Sequence, residues 1–205
     1  MAQTALLTSI SPFRPVTTRP QIQWGLGALR GRLIELSGTG NSSALTITSS
    51  LLLEAQEGDE PVAWITHQNS LFFPPDFDAC GVDLSALPIV QMSDMSQCLK
   101  ATDMLLQSGA FSMLVVDVGR CFDIRLSVQT RLASKARHHN TAVLLMTEKP
   151  SAQASAGSLV SLRIETSVRR VGFDKFDSTV RALKDKHRGP GWSYTEERCG
   201  PVGLS

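Results

Sequence analysis

The chemistry-bearing stretch of this sequence is Gly31 to Thr46, GRLIELSGTGNSSALT, which reads as a short buried strand, a Gly/Ser-rich loop and the start of a helix. That is the setting of a phosphate-binding loop, where backbone N–H groups and a helix N-terminus cradle an anion. The motif G-x-x-x-x-G-K-S/T begins at Gly38, so its second glycine falls on Ser43, its lysine on Ala44 and its hydroxyl on Leu45. Without the lysine, no side-chain cation reaches the β- and γ-phosphates. Leu45 cannot place a hydroxyl on Mg²⁺. Gly38, Ser42, Ser43, Ala44 and Leu45 are therefore expected to form a vestigial loop that holds no cofactor. What remains is the capacity of backbone N–H groups near Ser42 and Ser43 for a sulfate or phosphate.

Two further groups of residues carry chemistry of a binding kind. Arg163, Arg169, Arg170, Lys175, Arg181, Lys184, Lys186 and Arg188 form a basic run balanced by Glu165, Asp174, Asp177 and Asp185. Residues of equal parity share a strand face, so Arg163 and Arg169 are expected to line one side, as a phosphate-tracking surface or as a solvated strand face. Leu71-Phe72-Phe73-Pro74-Pro75 is apolar for a connector, so Phe72 and Phe73 either dock a partner or tuck under the sheet edge. A helix face with Arg125, Arg131, Lys135, Arg137, His138 and His139 reads as a solvated helix end, its cations suiting the C-terminal dipole.

The chain that must position these groups has 205 residues, 42% of them hydrophobic and 19% charged. That suits a globular domain with a sizeable core. A formal charge of +1 gives no global drive toward nucleic acid or acidic membranes. Cys80, Cys98, Cys121 and Cys199 are scattered without a CxxC pair, so reduced cysteines in a cytoplasmic protein are expected, with no metal site. No apolar run approaches the roughly 18 to 20 residues of a membrane span, and MAQTALLTSISPFRP has no basic region of the signal-peptide kind.

Residues 1–23, with Pro12, Pro15 and Pro20, read as an N-terminal arm. A tight turn at Trp24–Gly27 leads to a strand at Arg32–Leu36, a helix at Ala44–Gln56 and a strand at Val62–Thr66. His67–Asp78 reads as a loop and Cys80–Leu87 as a connector, before a short strand at Pro88–Met92. Asp94 is an N-cap candidate for a helix reaching about Gln107. Ser112–Val118 is the strongest strand, followed by a helix at Ile124–His139 and a strand at Thr141–Thr147. Apolar strands separated by helices predict an α/β fold with a parallel sheet covered on both faces. Leu159–Arg170 and Ser178–Lys184 read as antiparallel strands that extend it, within a core of residues 24–188. The turn-rich residues 189–205 read as a C-terminal tail.

In this order GRLIELSG, ACGVDLSALPIVQ, LLQSGAFSMLVVDV, HNTAVLLM, SLRIETSVRR and VRALKDKHRGPG resemble the ATPase core of the RecA family, over roughly Arg30 to Arg188. The resemblance implies a RecA-like core: a mostly parallel central sheet flanked by helices, with C-terminal antiparallel strands. It places the Walker B aspartate on Asp117 and the water-polarising glutamate near Gln68, a poor general base. The polar sensor, Asn-Gln in the family, falls on Thr147 or Glu148. The resemblance thus implies a pseudo-ATPase with no catalytic residues. The stretches matching the DNA-contacting loops, Gly119–Arg125 and Pro150–Gly157, look short.

A RecA-like core of this size with a degenerate nucleotide loop resembles the ImuA family of the bacterial SOS response. That resemblance implies a cytoplasmic, non-enzymatic protein of mutagenic translesion synthesis. Its implied partners are RecA, the Y-family polymerase-like adaptor ImuB and a DnaE-type error-prone polymerase, with no membrane. A single-stranded DNA-binding module and a SulA-like cell-division inhibitor are the alternatives.

Overall fold

The computed structural model describes residues 24–40, 42–67, 72–120, 123–173 and 175–199. The expected N-terminal arm at 1–23, Gln68, Cys121 and the last residues of the expected tail, 200–205, lie outside the described residues.

Six strands run parallel: β1 (Leu33–Ser37), β2 (Val62–His67), β3 (Ile89–Met92), β4 (Met113–Gly119), β5 (Ala142–Thr147) and β6 (Leu162–Arg170). Antiparallel β7 (Lys175–Asp185) and β8 (Ser193–Cys199) complete one eight-stranded sheet in the order β3-β2-β4-β5-β1-β6-β7-β8. This is the α/β, RecA-like architecture the sequence order predicts. Helices α1 (Leu26–Leu29), α2 (Ala44–Glu57) and α3 (Pro74–Ala79) go with one core, and α4 (Met95–Ser108) and α5 (Leu126–His139) with the other. Strand alternation divides the cores cleanly: Ile34, Leu36, Trp64 and Val115 face the first, while Leu33, Ile65, Leu114 and Val116 face the second. Burial on both faces is why β4 and β5 are almost wholly apolar and β1 and β2 mostly so.

Local chemistry fixes the helix ends. Asp94 caps α4 by accepting the Gln97 N–H at 2.9 Å, and Gly109, with φ of 67°, stops it in the left-handed region. Asn140 ends α5 the same way, at φ 56°.

Three expectations are corrected. The supposed loop at His67–Asp78 contains α3, because Pro74 and Pro75 fall at its first turn, where no intrahelical N–H is needed, and Phe77 is buried beneath it. The tight turn before β1 is α1, whose Leu26 and Leu29 are buried. Residues 193–199 of the supposed tail are edge strand β8, paired with β7 from Arg181↔Ser193 to Lys175↔Cys199. Tyr194 and Trp192 pack against the core, and Trp192 meets Trp24 at a ring distance of 6.2 Å.

Candidate nucleotide-loop cavity and its surroundings

The loop leaves β1 at Gly38, whose N–H donates to the Thr147 carbonyl at 3.2 Å. A Cβ on Gly38 would lie 2.0 Å from Ser42 Oγ, so only glycine lets the loop fold back this tightly. Gly40 takes the left-handed conformation, at φ 60°. Ser42 Oγ lies 2.7 Å from Thr166 Oγ1 and accepts the Ala44 N–H at 3.1 Å. Ser43 Oγ donates to the Ser167 carbonyl at 3.1 Å. The two serines thus hook the loop to the part of β6 that runs past the end of β1, whose last pair is Ser37↔Glu165.

A cavity of about 400 Å³ opens above this loop, between Gly38, Gly40, Ser42, Ala44 and Leu45 on one side and Arg120, Met146, Thr147 and Glu148 on the other. Its charged groups are Arg120 and Glu148, which pair with each other at 2.7 Å. A second hollow of about 430 Å³ shares both residues and reaches His67, Val118 and Gly119. Together they line the C-terminal edge of the parallel sheet, the usual ligand-binding edge of open α/β sheets. Asp117 pairs in register with the cavity residue Met146 but is itself buried, at 1% exposure, and does not line the cavity. Thr147 is turned inward, donating its hydroxyl to Glu35 at 3.3 Å.

Beneath the edge lies a charged group that the sequence reading missed. Glu35, in the middle of β1, has a fully buried side chain. It pairs with Lys149 Nζ at 2.8 Å and Arg163 Nε at 3.7 Å, and accepts from Ser155 Oγ at 2.6 Å and the Ala156 N–H at 2.8 Å. Burial pushes the Glu35 carboxyl up, but the hydrogen bonds from Lys149, Ser155 and Ala156 outweigh it and hold the group below the ordinary carboxylate range. The available signal was a carboxylate inside the strand LIELS, which needs a buried partner.

This corrects the expectation for Arg163. It shares strand parity with Arg169 but not its environment: the Arg163 side chain is 6% exposed, opposite Glu35 on β1, whereas Arg169, past the end of β1, is 79% exposed. The rest of the basic run is mostly engaged. Arg169 pairs with Asp177 at 3.1 Å, Arg181 with Glu165 at 2.5 Å and Lys175 with Glu197 at 2.7 Å. Arg170 donates to the Gly172 carbonyl at 2.9 Å and stands 5.9 Å from the Phe173 ring. Lys184 and Lys186 both donate to the Ser158 carbonyl, at 3.2 and 2.9 Å. On α5, Arg131 and Lys135 converge on Asp103 of α4 at 3.8 and 2.9 Å.

The aromatic pair divides in the same way. Phe72 stacks on Phe77 at 4.7 Å and meets Trp64 at 5.2 Å, under the edge of the sheet. Phe73 is 56% exposed. Among the described residues, no helix is long and apolar enough to cross a membrane.

Residues 17–149 match the family model described as the RecA N-terminal domain. The chain is similar to Protein RecA of Corynebacterium urealyticum, 33% identical over 136 residues that make up 60% of this chain and 36% of that protein. Protein RecA of Leifsonia xyli is 32% identical over 136 residues, 60% of this chain and 38% of that protein. Protein RecA of Streptomyces rimosus is 30% identical over 141 residues, 62% of this chain and 37% of that protein. The match thus spans little more than a third of each relative. The sheet order, the loop at Gly38 and these matches lead to one assignment: the chain belongs to the RecA N-terminal domain family.

Proposed function

We propose that this protein is a RecA-like pseudo-ATPase of ImuA type, a cytoplasmic regulator that acts by binding proteins during SOS-induced translesion synthesis. One observation carries the reading. The cavity has the shape of a nucleotide loop, but the methyl of Ala44 and the apolar Leu45 stand where phosphate chemistry needs an ammonium and a hydroxyl. The cavity's own cation, Arg120, is paired with Glu148 at 2.7 Å. In place of a phosphate, Ser42 Oγ takes the first N–H of α2. Gln68 at the position of the water-polarising glutamate fits the same reading.

The mechanism is competitive mimicry. A domain of RecA's shape docks on a RecA subunit and offers neither the lysine nor the glutamate of a working ATP site, which weakens RecA recombination activity while mutagenic synthesis proceeds. ImuB and a DnaE-type polymerase are the further partners of this reading. Phe73, with over half of its surface exposed, is one of the apolar groups available for docking, beside Met104, Leu126 and Phe173. The single-stranded DNA alternative is weakened by the buried Arg163 and by the carboxylates that face Arg169, Arg181 and Lys175. The test is capture of purified RecA by the tagged protein. Retention that Phe73→Ala reduces supports the reading, and no retention of RecA overturns it.

A further inference from the structure

The connection between β5 and β6 is fastened at two depths. Near the sheet, Glu35 receives the Thr147 hydroxyl, the Lys149 ammonium, the Ser155 hydroxyl and the Ala156 N–H. Arg163, beside it, donates to the carbonyls of Pro150, at 3.1 Å, and Gln153. Farther along, Gln129 of α5 accepts the Leu159 N–H at 2.8 Å, and the Ala156 carbonyl accepts the Ile124 N–H at 2.9 Å. A Cβ on Gly157 would lie 2.2 Å from the Gln129 side chain, so the glycine lets the amide lie against the chain.

We propose that Glu35 is a lock that holds residues 147–156 as a fixed strap against the sheet, and that this lock sets the Thr147–Glu148 wall of the cavity. The geometry supports a lock and not merely a packed loop. One carboxylate in the sheet gathers four donors from four positions of the same segment, so its loss releases them together. The wall follows because Thr147 is itself one of those donors, and Glu148 stands between it and Lys149. The charge count makes Glu35 indispensable. Lys149 and Arg163, 4% and 6% exposed, are two cations against its single negative charge. Neutralising Glu35 leaves both buried without a counter-charge, and the readiest relief is for the strap to lift and let Lys149 reach water.

The test is hydrogen–deuterium exchange followed by mass spectrometry on the full chain. In Glu35→Gln, peptides covering 147–156 should exchange about tenfold faster while those of β2 and β4 keep their protection. Lys149→Met leaves Glu35 paired with Arg163 and should give a smaller rise confined to the same segment. Asp185→Asn, which weakens a different buried pair, should not single out 147–156. If Glu35→Gln does not fold, Lys149→Met carries the test. Unchanged exchange at 147–156, or a rise spread evenly over the sheet in the Glu35 and Lys149 variants, overturns the proposal.

Discussion

Asp185 joins the antiparallel ribbon to the parallel core, and its removal should be costly by an amount the geometry sets. Its Oδ1 accepts from Arg32 Nη2 at 2.7 Å and from the His187 N–H at 2.9 Å, and its Oδ2 accepts Trp192 Nε1–H at 3.0 Å. The side chains of Arg32 and Asp185 are 5% and 0% exposed. Burial pushes the Asp185 carboxyl up, but the bonds from His187, Arg32 and Trp192 outweigh it and hold the group below its ordinary range. Asp185→Ala leaves the Arg32 guanidinium buried without its counter-charge, a change that costs about 3–5 kcal/mol. For a chain of this size that is a fall in Tm of about 6–20 °C. Urea denaturation followed by circular dichroism measures the loss. Replacing both partners, Arg32→Met with Asp185→Leu, should recover most of it, since an apolar pair leaves no orphaned charge. Glu165→Ala is the contrast: it breaks the Arg181 pair, whose side chains are 55% and 27% exposed, and should cost under about 1 kcal/mol. An Asp185→Ala loss no larger than that of Glu165→Ala would mean that Arg32 is not left as an uncompensated buried charge.

Other expectations follow from the same contacts. Glu35 and Asp185 both titrate below their ordinary values of 4.5 and 3.8, so their stabilisation is complete above those values and drains away as pH falls through the lower folded-state values. The urea midpoint should therefore drop in acid, and drop less in Glu35→Gln; equal acid sensitivity in the two proteins would contradict the assignment. Phe72→Ala should cost about 2 kcal/mol, because the half-buried ring stacks on Phe77 and meets Trp64 at a tilt, while Phe73→Ala should change the Tm little, as read by thermal denaturation. Titration calorimetry with MgATP should give no saturable heat for the native chain. Ser43→Gly, Ala44→Lys and Leu45→Thr together should introduce binding without turnover, and turnover in that triple variant would contradict the role given to Gln68.

What the sequence made legible was whatever repeats with a period or sits at a cap. The apolar runs of β1, β2, β4 and β5 mark strands buried on both faces, and Asp94 and Gly109 mark the ends of α4. The loop at Gly38 showed its missing lysine by spacing alone. Less legible was what depends on a neighbour remote in sequence. Parity put Arg163 and Arg169 on one face, but only the β1–β6 register shows that β1 covers the first and ends before the second. β8 was obscure because SYTEERC has no run of apolar residues, only Tyr194 turned to the core, and its place is set by backbone pairing with β7. α3 hid behind Pro74 and Pro75, which signal a loop as readily as a helix start.

The most direct test of the central claim is RecA-driven strand exchange and DNA-dependent ATPase activity, titrated with this protein. Both should fall as the protein is added, with no ATP turnover of its own. Strand exchange and ATPase activity that stay unchanged at a large excess would contradict it.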